Sequence, residues 1–275
     1  MSLTPGTRLG RYDVVAALPS TALRAGRPLD TGLEWSMSLA PGTRLGRYDV
    51  VAALPSTSLR AGGAGGMGEV LFHQGKTDEA LGIVRRIAAV EAPSRCKQHS
   101  RGVLFRCLSY VAPDAARTYL RETEIPLPTD GAVNAYGHGF NLMNVVEGLY
   151  VLGDRDAVAT LMPLTEMFAA SEITVLYTAA SPRAAAGVAA ASAGSWDAAE
   201  KHFREGLALC DSIPVVLHRG TTREWYGDML MMRNAGDDRA RAATLYAEAA
   251  ENYDTIGLVL YASRLAEKRA RLPFV

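Results

Sequence analysis

Apolar residues recur every three or four positions along most of this 275-residue chain, beginning near Gly66. That spacing places an apolar stripe along one side of a helix, whereas a half-buried strand would alternate at every second position. Glycine, proline and polar capping residues interrupt the pattern and divide it into segments. The predicted helices lie near residues 65–74, 76–91, 95–111, 113–123, 131–152, 154–171, 173–193, 195–211, 215–235, 238–254 and 257–271. The pattern therefore predicts an all-α body over residues 63–275.

Four glycines lie at the ends of predicted helices and recur at a regular interval. Each follows the last apolar residue of a predicted helix, where glycine ends helices by adopting a positive φ; they are Gly75, Gly153, Gly194 and Gly236. Their spacings are 78, 41 and 42 residues, and a further helix start at Pro113 divides the longest interval near its middle. We therefore predict five helical pairs that recur at about forty residues, which is typical of a repeat protein.

The pair of helices around Gly194 has the most specific packing pattern. Gly187 takes a small position in the first helix, Ala199 takes a small position in the second, and Phe203 fills the wider gap. This unit resembles a tetratricopeptide repeat, and residues 190–272 are similar to the helical tails of large bacterial signalling proteins. The same order recurs in Trp225, Gly236, Ala242, Tyr246 and Ala249. The resemblance implies a right-handed α-solenoid of about five tetratricopeptide-like hairpins.

The first 62 residues contain a tandem copy. The segment that begins at Met1 recurs from Met37, and the match continues to Gly62 with only two differences. Near-identity at every kind of position indicates a recent duplication, because stacked repeats conserve only their packing pattern. Each copy has one β-prone stretch, at residues 11–18 and 47–54. We expect residues 1–62 to be peripheral and poorly structured, or to form a hairpin or short helix against the body.

Two kinase-like patterns lie on either side of residue 62, where the tandem copy ends. Residues 39–51 (LAPGTRLGRYDVV) resemble the opening of bacterial serine/threonine protein kinases, and residues 63–70 (GAGGMGEV) are similar to their phosphate-binding loop. The resemblance implies a nucleotide site formed by Gly63, Gly65, Gly68 and Val70. Phosphoryl transfer also needs a lysine, metal ligands and a base, but the V-A-x-K, H-R-D and D-F-G motifs do not occur. We therefore expect no enzyme activity and interpret residues 1–62 as a duplicated kinase remnant.

Gly68 fits two different interpretations of the following segment. It lies seven positions before Gly75 and twelve before Ala80, which suits the small contact residue of a first helical pair. A helix over residues 65–74 would use its amides internally, whereas a strand hairpin would leave them available to phosphate. The alternative function is therefore a nucleotide-binding or regulatory fragment of a serine/threonine kinase that lacks its catalytic lobe.

Charge and special residues narrow the range of partners. The chain has 29 basic and 29 acidic residues, so no net field favours nucleic acid or an anionic membrane. No apolar run is long enough to span a bilayer and no signal peptide is evident, so we expect a cytoplasmic protein. The cysteines form no C-x-x-C pair and are expected to be buried thiols. The five histidines lie at no metal-binding spacing, and we expect neither a metal nor another cofactor.

The first helices of successive pairs line the concave face of a helical repeat array, where such arrays bind proteins or peptides. Polar residues on these otherwise apolar helices are the candidate partner-binding residues. They are Asn134, Tyr136, His138 and Asn141 in the helix predicted over 131–152, and His218, Arg219 and Arg223 in the helix predicted over 215–235. The arginine-rich end, residues 264–271, is expected to be a solvated last helix.

Overall fold

A computed structural model gives the fold of the helical body. It describes residues 67–89, 95–129, 136–171, 180–212 and 216–271, together with four two-residue strands nearer the N-terminus. These are β1 (Arg8–Leu9), β2 (Tyr12–Asp13), β3 (Arg44–Leu45) and β4 (Tyr48–Asp49). β1 pairs with β2 and β3 pairs with β4, both antiparallel, so each copy of the duplication contains a small hairpin. The rest of the predicted strands 11–18 and 47–54 lies outside the described residues.

Within the described residues, twelve helices follow one another. They are α1 (residues 67–73), α2 (Thr77–Ala89), α3 (Arg95–Val111), α4 (Pro113–Glu122), α5 (Tyr136–Val151), α6 (Arg155–Thr160), α7 (Met162–Ala170), α8 (Pro182–Ser192), α9 (Trp196–Ser212), α10 (Leu217–Arg233), α11 (Asp238–Ile256) and α12 (Val259–Arg271). The prediction of an all-α body is confirmed for this part of the chain.

Two predicted helices differ from the observed ones. The segment 154–171 forms α6 and α7 instead of one helix, because Pro163 lacks the amide hydrogen that would continue the helical ladder. The helix predicted from residue 173 begins at Pro182 as α8. There the Ser181 hydroxyl accepts a hydrogen bond from the Ala184 amide at 3.1 Å, which caps the new helix.

Three of the four predicted glycine turns close the preceding helix. Gly75, Gly153 and Gly194 have φ between +74° and +79°. After each, the amide of the next residue donates to the carbonyl five residues back, at 2.8 to 3.0 Å. The fourth prediction is wrong in detail, because α10 is closed by Asn234 at φ +50°. Gly236 lies in the turn that follows, and asparagine is among the few other residues that adopt a positive φ at small cost.

Close contacts between glycine and a bulky side chain hold the hairpins together. A Cβ atom on Gly187 of α8 would lie 2.8 Å from the Phe203 ring on α9, which leaves no room for any side chain. A Cβ atom on Gly68 of α1 would lie 2.8 Å from the Val84 methyl group on α2. The packing role predicted for these two glycines is therefore observed.

The α10–α11 hairpin repeats this contact twice. Gly227 faces Tyr246 and Gly220 faces Tyr253, with distances from an added Cβ of 2.7 and 2.4 Å. Residue numbers rise along one helix as they fall along the other, so the two helices are antiparallel. The prediction that placed Trp225 in the small position is corrected, since the glycines on either side of it take that role. The Trp225 ring instead packs on a tyrosine ring of α5, with centroids 4.9 Å apart.

Helices α1 and α3 run parallel. Glu69 of α1 contacts Arg106 of α3, and Phe72 lies 5.4 Å from Tyr110 by ring centroids, so residue numbers rise together on both helices. The step from Glu69 to Arg106 is 37 residues, and the next step, from Tyr110 to Glu147 on α5, is also 37 residues. The core thus brings equivalent points of α1, α3 and α5 into contact.

Candidate functional site

Charged side chains from α1, α3 and α5 meet in the interior of the body. Arg106 donates from Nη2 to Oε2 of Glu69, and its Nη1 lies 3.7 Å from Oε2 of Glu147. The three side chains are at most 5% exposed. We call these residues the glutamate–arginine cluster. Buried charge is costly unless it is paired, so two carboxylates around one guanidinium are an unusual core.

Two tyrosines complete the contacts of Glu147. The hydroxyls of Tyr110 and Tyr261 both donate to its Oε1, at 2.9 and 2.8 Å. Burial, and then the charge of Glu147, raise the pKa of both hydroxyls, which keeps them protonated as donors. Tyr261 belongs to α12, so the last described helix reaches the cluster formed by α1, α3 and α5.

Glu69 gives the cluster a proton-binding group near neutral pH. Burial raises its pKa to about 7, the positive charge of Arg106 opposes the rise, and the negative charge of Glu147 adds to it. His73, one turn further along α1, has its Nε2 3.6 Å from Oε2 of Glu69. In the described structure Oε1 of Glu69, Oε2 of Glu147 and two nitrogens of Arg106 have no hydrogen-bond partner. The cluster can therefore exchange a proton at physiological pH and accept further polar contacts.

A second polar cluster joins α10, α11 and α12. Lys268 donates from Nζ to both carboxylate oxygens of Asp228, at 2.9 and 2.7 Å, and also to Glu224. The Tyr253 hydroxyl donates to Glu224 and the Tyr246 hydroxyl donates to Asp228, each at 2.7 Å. We call these five residues the lysine cluster. The Lys268 side chain is 30% exposed, so the cluster lies at an edge that water reaches.

One face of α12 lies against the first helices. Tyr261 and Leu265 are buried, and the Arg264 guanidinium lies 4.7 Å from the centroid of the Tyr110 ring. The expectation of a solvated last helix is therefore wrong for this face. Residues at i, i+4 and i+7 share one side of a helix, and on α12 these are Tyr261, Leu265 and Lys268. We call the area beneath them, formed by Tyr110, Glu147, Glu224 and Asp228, the α12-covered surface.

A third polar group stabilises the turn between α10 and α11. Arg233 donates to both oxygens of Asp238, at 2.8 and 2.7 Å, and the Ala235 amide donates to the same carboxylate at 2.9 Å. The hydrogen bonds from Arg233 lower the pKa of Asp238 to about 2 despite its burial. Arg233 also pairs with Glu200 of α9, so this group stabilises the contact of three helices.

The candidate partner residues of α5 lie near its start. His138 is half-buried, and Asn141 is buried and donates to the Pro126 carbonyl at 3.0 Å. Asn134 and the side chain of Tyr136 are outside the described residues. Asn141 therefore ties α5 to the preceding loop.

The candidate partner residues of α10 pack toward its neighbours. His218 is buried, and Arg219 donates from Nε to the Cys210 carbonyl at 3.0 Å. Arg223 pairs with Asp211 of α9 at 3.0 Å and with a glutamate of α11 at 2.8 Å. The structure brings these two arginines together at the α9–α10 contact, apart from the contacts that Asn141 makes at the start of α5.

Sequence reasoning missed the residues of the glutamate–arginine cluster and of the lysine cluster. Glu147 and Arg106 stand inside apolar helical runs, NLMNVVEGLY and VLFRCLSY, and an isolated charge in such a run is the signal that could have found them. No comparable signal marks Lys268, because its neighbours along α12 are charged as well.

The nucleotide residues implied by the kinase resemblance are only partly described. Gly63 and Gly65 lie outside the described residues, while Gly68 and Val70 belong to α1. Residues 67–73 are helical, and Gly68 is buried against α2. Both observations agree with the repeat interpretation.

Cys107 and Cys210 are free and buried, as expected, while the side chain of Cys96 lies outside the described residues. Burial raises the pKa of Cys107 to about 12, so its thiol is not a ready nucleophile. Within the part of the chain that the structure describes, no group of histidine, cysteine and acidic side chains could hold a metal ion. No described helix has the length and apolar character needed to cross a bilayer.

No protein-family model matches this chain, and no curated protein or solved structure matches it either. The tetratricopeptide and kinase resemblances therefore stay predictions that rest on the residues themselves.

Proposed function

We propose that residues 63–275 form a right-handed α-solenoid of about five tetratricopeptide-like hairpins that binds a protein or peptide partner, in bacterial signalling. Two features support this architecture. Glycine turns and glycine–aromatic contacts build antiparallel hairpins, as in α8–α9 and α10–α11. The first helices α1, α3 and α5 pack side by side with a repeated step of 37 residues. Helical pairs that stack in this way expose one continuous face made of first helices.

The observation that carries the proposed function is a helix already seated against this face. α12 makes polar contacts with α5 through Tyr261 and with α10 through Lys268. This arrangement has the form of helix-in-groove recognition, in which side chains at i, i+3, i+4 and i+7 anchor an amphipathic helix. The α12-covered surface carries three carboxylates and one tyrosine, so it suits a partner with basic and hydroxyl groups.

The experiment is capture of partners from the native cytoplasm, followed by hydrogen–deuterium exchange of the purified complex by mass spectrometry. We expect changes in amide exchange to concentrate in α3, α5, α10 and α12, because these helices carry or cover the proposed surface. The second helices α2 and α9 serve as internal controls. Protection confined to the second helices would refute binding on the face of first helices.

A further inference from the structure

We infer that α12 is an exchangeable occupant of the α12-covered surface, and that the partner replacing it is a helix that presents a tyrosine, an arginine and a lysine at positions i, i+3 and i+7. These positions correspond to Tyr261, Arg264 and Lys268. The inference rests on the proposed function. It adds the chemical class of the partner, and it identifies α12 as a competitor of that partner within the chain.

α12 buries a smaller share of its residues than α10 does. Of its 13 residues only Tyr261 and Leu265 are buried, whereas α10, with 17 residues, buries ten. Apolar burial supplies most of the free energy that fixes a helix in a core. The attachment of α12 therefore combines a small buried face with the polar contacts of Tyr261 and Lys268, and a second helix of the same chemistry can replace both.

The charges of the α12-covered surface determine which kind of helix can replace α12. Glu147, Glu224 and Asp228 accept hydrogen bonds from α12 through the Tyr261 hydroxyl and the Lys268 ammonium. If α12 left without a substitute, these carboxylates would lose those donors, which is costly for largely buried charges. An acidic helix would be repelled and a purely apolar helix would leave the carboxylates unpaired, so a basic helix with a hydroxyl donor is favoured.

The attachment also leaves polar groups unsatisfied. Oε2 of Glu147 accepts no hydrogen bond although α12 is in place, and Nη1 of Arg106 lies 3.7 Å from it. The Glu147 side chain is completely buried. The bound helix α12 therefore supplies a hydrogen bond to only one of the two oxygens of Glu147.

The connection to α11 is a single glycine turn. Gly257 has φ +74°, and a Cβ atom added to it would meet nothing within 4 Å. The glycine itself has open space around it, while the next residue, Leu258, is buried in the core and its amide donates to the Tyr253 carbonyl at 2.9 Å. Rotation at this residue can move α12 while the hairpin of α10 and α11 keeps its glycine–tyrosine contacts.

The test uses the full chain and a fluorescein-labelled synthetic peptide of residues 257–271, measured by fluorescence anisotropy. Three proteins are compared: wild type, the double variant Y261F/K268Q, and R269Q, which removes one positive charge from the exposed side of α12. The double variant weakens the intramolecular contacts of α12 and leaves the surface beneath intact. We expect the peptide to bind the double variant at least about tenfold more tightly than wild type or R269Q, because its competitor is weakened. A peptide that itself carries Y261F and K268Q should bind the double variant at least about tenfold less tightly.

Each outcome separates this inference from the proposed function. Equal affinity for the three proteins overturns the exchange of α12, while the surface still binds helices and the proposed function stands. Absence of binding to a double variant with a native circular dichroism spectrum counts against both. A dimer of the double variant in size-exclusion chromatography identifies a second copy as the occupant and overturns the inference of a foreign partner.

Hydrogen–deuterium exchange of the wild-type chain decides the question if the double variant does not fold. Exchangeability requires that α12 amides exchange at least about tenfold faster than those of α10. Equal protection of the two helices overturns the inference.

Discussion

Replacing Glu69 by glutamine tests the buried charge cluster directly. The folded chain holds the pKa of this carboxyl at about 7, against an ordinary value of 4.5 for an exposed glutamate. Between these two values the folded chain binds more protons than the unfolded chain, so its stability falls as pH rises. The favourable contribution is complete below the ordinary pKa and is lost once the pH passes the folded pKa. The full difference between these two pKa values corresponds to roughly 3 kcal/mol of unfolding free energy.

The glutamine side chain keeps the size of the glutamate and cannot ionise. From about pH 5 to about pH 8, we expect the wild-type chain to lose roughly 2–3 kcal/mol of unfolding free energy relative to E69Q, since most of this window lies between the two pKa values. Urea denaturation at a series of pH values, followed by circular dichroism, measures the difference. E79Q, an exposed residue of α2, is the control and should follow the wild-type curve.

Parallel pH profiles for wild type and E69Q would refute the reasoning. They would mean that Glu69 ionises in the folded chain as easily as in water, because solvent or Arg106 fully compensates its burial. An E147Q variant adds a second check, because removal of that neighbouring charge should move the wild-type transition to lower pH.

Three other predictions follow from single contacts. G220A should destabilise the fold by about 1–3 kcal/mol in urea denaturation, because its Cβ would lie 2.4 Å from a tyrosine ring, whereas G82A, with nothing within 4 Å, should be neutral or slightly stabilising; equal effects would contradict the packing argument. D238N should lower stability by about 1–2 kcal/mol at neutral pH, because hydrogen bonds from Arg233 are lost. The difference in unfolding free energy between wild type and D238N should narrow as pH falls from the ordinary pKa of 3.8 toward 2. A constant difference over that range would count against the ion pair. Iodoacetamide should leave Cys107 unmodified at about pH 8 until the chain unfolds, as read by peptide mass spectrometry, since burial raises its pKa to about 12; rapid labelling of the folded chain would show that the thiol is accessible.

Most of the local structure could be predicted from the sequence, because helix ends depend on neighbouring residues. The glycine turn at Gly194 and the contact of Gly187 with Phe203 follow from short-range spacing, and both are observed. The errors have local causes too. Pro163 divides a helix within an unbroken apolar pattern, and Asn234 takes a conformation that the prediction reserved for glycine.

The functional surface could not be predicted in the same way. The expected groove residues were chosen as polar side chains on first helices, yet Asn141 and Arg223 are used in contacts between neighbouring elements. Polarity alone cannot separate these uses, since a polar residue on an apolar helix can pair with a neighbour or face a ligand. The choice depends on which helix lies opposite.

The sequence by itself determined most helix ends, since apolar period, capping and glycine conformation act within one turn of the chain. Tertiary structure decided that Tyr261 donates to Glu147, a contact between residues 114 positions apart. It also decided that Glu69 holds its proton near neutral pH, because burial and the charges of two other helices set that pKa. Long-range contacts and desolvation depend on how whole helices pack, and no local pattern encodes them.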